Sequence, residues 1–121
     1  GAGAAIHTLF ALRAGAKKVY VIESGAAMGM AREIIAQNGF LDRVELIHAD
    51  SRAVNLPEKA DVLISNIGFL YSAKTLPDAF ARFLKPGGKM IPTHAVLNLV
   101  PYTDSSYYQS HIQIWRSNPF G

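Results

Sequence analysis

The sequence predicts an α/β fold of the Rossmann-like, doubly wound type, built on a mostly parallel sheet. Apolar runs of strand length alternate with amphipathic segments of helix length, which is typical of a parallel sheet with helices on both faces. A glycine-rich segment at residues 1–3 opens the first helix. An acidic residue, Glu23, ends the next strand and stands 20 residues beyond Gly3.

The first helix and strand follow from apolar spacing. A helix is expected over residues 4–14, and Gly15 is a natural residue to end it. Residues 19–22 form an unbroken apolar run, which is typical of a buried strand. The predicted inward face of this helix consists of Ile6, Leu9, Phe10 and Ala14.

The second helix and strand are predicted in the same way. Residues 28–37 have helical periodicity, with Gly39 just past the end. Residues 43–48 alternate between apolar and polar positions, which indicates a strand nearer an edge of the sheet. The predicted inward face of this helix consists of Ala27, Met30 and Ile34.

The remaining half of the chain predicts more strands than helices. Residues 61–66 form a buried strand that runs into polar residues. A helix is expected to begin at Thr75, with Pro77 and Asp78 in its first turn, and residues 85–88 end it. Strands are expected over residues 89–91, 95–100 and 107–115, with antiparallel strands at the C-terminal side of the sheet.

The composition excludes several classes of protein. Half of the 121 residues are hydrophobic and 17% are charged, which excludes a disordered chain. Cysteine is absent, so disulfides and thiolate chemistry are excluded, and we expect a cytoplasmic protein. No apolar run approaches the ~20 residues that span a membrane, so no membrane partner is expected. The net charge of +3 is spread along the chain, which argues against a nucleic-acid partner.

The chain is expected to be an excerpt of a longer protein. A glycine-rich loop that opens a helix needs a strand before it, and that first strand would lie upstream of Gly1. We expect an incomplete core over residues 1–100 and the start of a further β segment over residues 101–121. Without the first strand its neighbours expose unpaired edges. We expect these edges to pair with another copy, giving a homo-oligomer, or the gap to close by a shift of strands.

The glycine-rich opening and Glu23 together predict a nucleoside cofactor site. Glycines let a ligand approach the backbone, and the free N–H groups of a helix start bind an anion or carboxylate. An acid at the position of Glu23 is placed to accept both hydroxyls of a ribose. A helix cap with a solvated glutamate is the alternative. The pair does not by itself separate NAD from S-adenosylmethionine.

Asp50 and Ser51 follow the strand over residues 43–48. Because the carboxyl ends of parallel strands lie at one edge, we expect them near the same crevice. The carboxylate of Asp50 would accept a hydrogen bond from an adenine amino group. An Asx turn, in which the carboxylate bonds its own backbone, is the alternative.

Asn66 and Phe69 are the candidate catalytic residues. They follow the strand over residues 61–66, where a substrate group would meet the cofactor. Asn66 offers one acceptor and two donors without charge, and Phe69 would stack on a planar substrate. A polar strand cap with a core aromatic is the alternative. The four histidines show no paired metal spacing, and no serine lies in a nucleophile elbow, so neither a metal site nor a serine hydrolase is expected.

These segments resemble the cofactor-binding half of class I S-adenosylmethionine-dependent methyltransferases. The likeness begins with residues 1–3 and 10–23 and covers nearly the whole chain in order and spacing. It is most similar to the protein arginine methyltransferases and their bacterial relatives. The other similar segments are residues 31–35, 38–39, 42–44, 56–65, 84–92 and parts of 114–121, the last similar to the entry into that family's β-barrel.

The resemblance implies methyl transfer from S-adenosyl-L-methionine to an unidentified acceptor, a protein or a small molecule. It implies that Gly1 and Gly3 pass under the methionine part of the cofactor and that Glu23 holds the ribose. Asp50 and Ser51 would border the adenine. No catalytic base is identifiable.

The departures from the family bear on the acceptor. The arginine enzymes carry two glutamates in the loop after the strand that ends here at Asn66, and no acid occurs between Asp61 and Asp78. Since a guanidinium favours carboxylates that bind it through both oxygens, arginine is not favoured as the acceptor. Residues 66–69 also have the spacing of the Asn-Pro-Pro-aromatic loop of amino-group methyltransferases, without its prolines. A NAD-binding oxidoreductase domain and a non-catalytic homologue that serves as an interaction module are the two other hypotheses.

Overall fold

The computed structural model describes residues 1–66, 69–96, 98–113 and 116, and for residues 69–74 only the backbone. Helices and strands alternate along most of this length, as predicted for an α/β fold. In chain order the elements are α1 (Ile6–Arg13), β1 (Val19–Ile22), α2 (Ala27–Gln37), β2 (Val44–Ile47), β3 (Ala60–Ile64), α3 (Phe69–Phe83) and β4 (Leu84–Ile91). Short 3-10 turns at Leu41–Arg43 and Ser51–Ala53 flank β2.

The described strands form two parallel two-stranded sheets. β1 pairs with β2 in a regular register from Val19↔Val44 to Ile22↔Ile47. β3 pairs with β4, and the register shifts between Ala60 and Val62. Within the described residues β1 and β3 do not pair with each other, so no shifted strand closes the gap between them. Pairing of these edges with another copy stays a prediction.

Two apolar clusters hold these elements together. The first consists of buried side chains from α1, β1 and α2 and the residue before α1: Ala5, Leu9, Val21, Ala31 and Ile35. The second centres on Val54, Ala79 and Phe83. Ile22 and Ile47 of one sheet and Leu63 of the other pack against this second cluster. The two sheets therefore share a core although their strands are not hydrogen-bonded to each other.

The inward faces predicted for the first two helices are partly wrong. In α1 the side chains of Ile6 and Phe10 are exposed, and in α2 that of Met30 is exposed. Leu9 is buried, as predicted. The observed buried stripes have spacings of three and four residues that begin elsewhere: Ala5, Thr8, Leu9 and Leu12 in the first, and Met28, Ala31 and Ile35 in the second. Small residues at several of these positions let the helices lie close to the sheet, which a count of large apolar side chains misses.

α3 begins earlier than the sequence predicts. It starts at Phe69 and not at Thr75, so Pro77 lies inside the helix and not in its first turn. Asp78 pairs with Arg82 one turn later instead of serving a helix start. Packing of Ala79 and Phe83 into the second cluster offsets the local cost of the proline.

Residues 85–88 follow the end of α3 at Phe83, as predicted, and lie within β4. The chain passes from α3 directly into this strand, and Gly88 lies close to the backbone of β3. A Cβ atom on Gly88 would lie 2.7 Å from Cδ1 of Leu84 and 3.0 Å from the carbonyl oxygen of Asp61. A side chain at this position would therefore require Leu84 and the backbone of β3 to shift.

The strand predicted over residues 89–91 is found within β4, whereas those predicted over residues 95–100 and 107–115 are not found in the described part of the chain. Residues 95–96 and 98–100 have no regular structure, and residues 105–112 form helical turns, Ser105–Tyr107 and Tyr108–Ile112. The carboxylate of Asp104 accepts a hydrogen bond from the backbone N–H of Tyr107 at 2.9 Å and so favours a helical start. A strand needs a partner for its backbone groups, whereas a helical turn satisfies them locally. Residues 114–115 of the predicted strand and residues 117–121 lie outside the described residues.

Among the helices described, none is both long enough and apolar enough to cross a membrane.

Candidate functional site

Three segments of the chain meet at the carboxyl ends of β1 and β2. The backbone N–H of Ala2 donates to the carbonyl of Ile22 at 3.1 Å, which joins the glycine-rich segment to the end of β1. The N–H of Glu23 donates to the carbonyl of Ile47 at 3.1 Å. A ring nitrogen of His48 lies 3.2 Å from the carbonyl oxygen of Ser24. The loops after both strands and the opening loop of α1 therefore form one edge, as the parallel topology predicts.

The carboxylate of Glu23 organises this edge. Its Oε2 accepts a hydrogen bond from the N–H of Gly3 at 2.8 Å, and its Oε1 accepts one from the N–H of Gly25 at 2.7 Å. These bonds lower the pKa of Glu23 below its ordinary value, and the bond from Gly3 has the larger effect. The side chain is therefore an anion at neutral pH, held on both sides by backbone donors.

The glycine-rich segment leaves room for a ligand. Gly3 has φ of 55°, which favours glycine, and a Cβ atom there would find no atom within 4 Å. Ala5 adopts a left-handed conformation before α1, and its side chain gives no capping hydrogen bond. The first N–H groups of α1 are thus open to an anionic group.

A ribose-bearing cofactor with a carboxylate fits this arrangement. Each oxygen of Glu23 accepts one backbone N–H and keeps further acceptor capacity for a hydroxyl. Gly3, whose N–H bonds Glu23, borders the open space and is followed along the chain by the uncapped start of α1. The predicted roles of Gly1, Gly3 and Glu23 in binding the cofactor stay predictions.

Asp50 is placed as the Asx-turn alternative describes. Its Oδ1 accepts from the backbone N–H of Arg52 at 2.9 Å, which begins the turn at Ser51–Ala53. The Arg52 guanidinium lies 2.7 Å from Oδ2 and holds the pKa of this carboxyl well below its usual range. A contact of Asp50 or Ser51 with adenine stays a prediction.

Asn66 lies just beyond the end of β3 and is exposed. The preceding residue, Ser65, donates its N–H to the carbonyl of Ile91 at 2.9 Å and so continues the pairing of β3 with β4. Phe69 is the first residue of α3. Its side chain and residues 67–68 lie outside the described residues. The proposed contacts of Asn66 and Phe69 with the acceptor stay predictions.

Sequence reasoning missed two residues at this edge. Gly25 donates one of the two hydrogen bonds to Glu23, and a Cβ atom there would lie 3.1 Å from Oε1. Its position two residues after an acid at a strand end was the available signal. Arg82 bonds the turn after Asp50 from α3. Only its i,i+4 spacing from Asp78 was visible in the sequence, and that spacing indicates a surface pair.

The hydrogen bonds of Glu23 make a prediction about acid stability. Because its folded-state pKa lies below the ordinary value of 4.5, the folded state gains stability from the ionised form above that pH. This contribution is lost as the pH falls from 4.5 through the lowered pKa. We expect the free energy of unfolding of the native protein and of Glu23→Gln, measured by urea titration, to converge as the pH falls below 4.5. A difference independent of pH would contradict this assignment.

Comparison with known proteins matches most of the chain to methyltransferases. Residues 1–95 match the model of the ribosomal protein L11 methyltransferase (PrmA) family. The probable protein arginine N-methyltransferase 6.1 of Oryza sativa subsp. indica is 38% identical over 120 residues, which are 95% of this chain and 32% of that protein. The chain therefore spans about a third of the length of this curated relative.

Two solved structures share the fold. Protein arginine methyltransferase 10 of Arabidopsis thaliana has a TM-score of 0.71 at 34% identity, over 76% of this chain and 28% of that one. The Trypanosoma brucei PRMT1 enzyme–prozyme heterotetrameric complex with S-adenosylhomocysteine (AdoHcy) has a TM-score of 0.72 at 30% identity. It covers 95% of this chain and 38% of that chain.

Proposed function

Because the chain belongs to the ribosomal protein L11 methyltransferase (PrmA) family, we propose that it forms the S-adenosylmethionine-binding core of a methyltransferase. The observation that carries this proposal is the carboxylate of Glu23, which the N–H groups of Gly3 and Gly25 hold beside an open glycine loop. We place the core at residues 1–100, with residues 101–121 entering a further segment. A NAD-binding oxidoreductase is disfavoured, because the family and the named relatives are methyltransferases.

The residues of this chain would bind and orient the cofactor. Glu23 would accept the ribose hydroxyls, the uncapped start of α1 would face the carboxylate of the methionine part, and Asp50 with Ser51 would border the adenine. The chemistry that the cofactor supplies is an activated methyl group on a sulfonium. The protein's contribution is then mainly position and electrostatics.

The acceptor has two candidates. The Oryza relative is named as an arginine methyltransferase, which favours arginine. Against it, no acid occurs between Asp61 and Asp78, and the exposed Asn66 stands just beyond β3, where a carboxylate would bind a guanidinium. We propose an acceptor other than arginine, bound beside Asn66 and Phe69. Methyl transfer assayed against arginine peptides, other peptides, RNA and small molecules decides between these, and transfer to none would favour a non-catalytic homologue.

The cofactor is tested by calorimetric titration. We expect the protein to bind S-adenosylhomocysteine with a Kd on the order of micromolar, about −8 kcal/mol, and to show no comparable binding of NAD. S-adenosylhomocysteine is chosen because it keeps the ribose, adenine and carboxylate that these residues would contact. Equal binding of both ligands would overturn the choice of cofactor, and binding of neither would overturn the proposed function.

A further inference from the structure

The side chain of Arg82, in the last turn of α3, reaches across to the turn that follows β2. Its Nη2 donates to the carbonyl of Ser51 at 2.7 Å, and its Nη1 donates to the carbonyl of Val54 at 2.5 Å. These two carbonyls belong to the first residue of the turn Ser51–Ala53 and to the residue that ends it. One guanidinium therefore holds both ends of the turn from a helix that is 28 to 31 residues away in sequence.

The guanidinium is itself held in place. Its Nε and Nη2 donate to the carboxylate of Asp78, one helical turn earlier, at 2.7 to 3.1 Å. The guanidinium carbon, Cζ, lies 4.6 Å from the ring centroid of Phe83, which is a buried side chain of the second apolar cluster. The Arg82 side chain is 29% exposed. A planar, five-donor group fixed on one edge and one face presents its remaining donors in a defined direction.

The turn that Arg82 holds carries the residues expected to border the adenine. Asp50 begins it, and its own backbone bonds are few: the N–H of Ala53 donates to Asp50 at 2.9 Å, and the N–H of Val54 donates to Ser51 at 3.3 Å. Ser51 and Asp50 are not among the buried residues. The bonds within this turn, including those between Asp50 and Arg52, are all local in sequence, so the bonds from Arg82 add the tertiary restraint that joins the turn to α3.

We propose that Arg82 is a positioning residue for the adenine side of the cofactor site, acting by fixing the Asp50–Ser51 turn against α3. This inference rests on the proposed function. Arg82 need not touch the cofactor, since its effect passes through the carbonyls of Ser51 and Val54. It follows that α3, which leads away from the acceptor side at Asn66, also supports the adenine side.

The test uses Arg82→Lys, which keeps the charge but loses the fork that reaches two carbonyls, and Arg32→Lys on the exposed face of α2 as the matched control. In the ligand-free protein we expect the amide hydrogens of Ala53 and Val54 to exchange roughly tenfold faster in Arg82→Lys than in the control. Unchanged exchange of these amides would overturn the restraint.

The second readout is selectivity for adenine. Calorimetric titration compares S-adenosylhomocysteine with S-inosylhomocysteine, which lacks the amino group that Asp50 would contact. We expect Arg82→Lys to weaken binding of the adenosyl ligand roughly tenfold and of the inosyl ligand less, so that the preference falls. Equal weakening of both ligands would indicate a structural role only and overturn the inference.

Two further results separate the possible failures. If the unsubstituted protein binds neither ligand, the proposed function fails, whereas the exchange measurement still reports on the restraint. If Arg82→Lys does not fold, Asp78→Asn decides, because it keeps the guanidinium but replaces the charged, two-oxygen anchor by a neutral amide with one acceptor oxygen. We expect Asp78→Asn to change both readouts in the same direction by less, and no change in either would overturn the inference.

Discussion

Replacing Glu23 by alanine is expected to weaken binding of S-adenosylhomocysteine by on the order of 100-fold. The substitution removes the carboxylate that would accept the ribose hydroxyls, and hydrogen bonds to charged groups each contribute about 1.5–3 kcal/mol. It also leaves the N–H groups of Gly3 and Gly25 without their acceptor, so the opening loop of α1 loses a restraint. Both effects act on the same ligand, which makes this the largest change in binding that we expect from a single substitution.

The measurement is calorimetric titration of Glu23→Ala beside Glu33→Ala. Glu33 lies on the exposed face of α2, so its removal changes the net charge by the same amount away from the site. Glu23→Gln refines the test, because its amide keeps the size but presents an N–H₂ group to one of the two backbone donors. We expect it to weaken binding as well. If Glu23→Ala bound as tightly as Glu33→Ala, Glu23 would have no part in the cofactor site.

The site illustrates which parts of a binding edge can be predicted from a sequence. The position of Glu23 beside the glycine loop follows from a strand, its length and the preceding loop, and all three are local patterns. The contacts of Arg82 were not identified, since they join residues that only the folded chain brings together. For Asp50 the sequence predicts the position after β2 but not the ion pair with Arg52. That ion pair determines how much of the carboxylate is free to bind a ligand.

The same distinction between local patterns and long-range contacts applies to the strands. The sequence predicts β1 with its observed bounds, 19–22, because a buried strand has an unbroken apolar run. The strand predicted over residues 107–115 is helical in its described part, since a strand needs a partner for its backbone groups and a helical turn does not. Its local capping bond from Asp104 favours the helical alternative.

The buried face of α2 differs from the inward face that the sequence predicts, and Ile35→Ala tests which of the two faces the core. Ile35 is fully buried in the first apolar cluster, together with side chains of α1 and β1, whereas Met30, which the sequence placed inward, is 57% exposed. Truncation of a buried isoleucine removes its transfer free energy and leaves a cavity. We expect Ile35→Ala to lower the free energy of unfolding by about 2–5 kcal/mol, measured by urea titration.

Met30→Ala is the matched control in the same helix. Because Met30 has little packing to lose and alanine favours helices, we expect a change within about 0.5 kcal/mol. If Ile35→Ala does not fold, Ile35→Val should still cost about 0.5–1.5 kcal/mol. A larger loss for Met30→Ala than for Ile35→Ala would instead support the helix face that the sequence predicted.

Since Ala5, the residue before α1, belongs to the same cluster as Ile35, the position of the glycine loop depends on this packing. Ile35→Ala is therefore expected to weaken S-adenosylhomocysteine binding as well, whereas Met30→Ala leaves it unchanged.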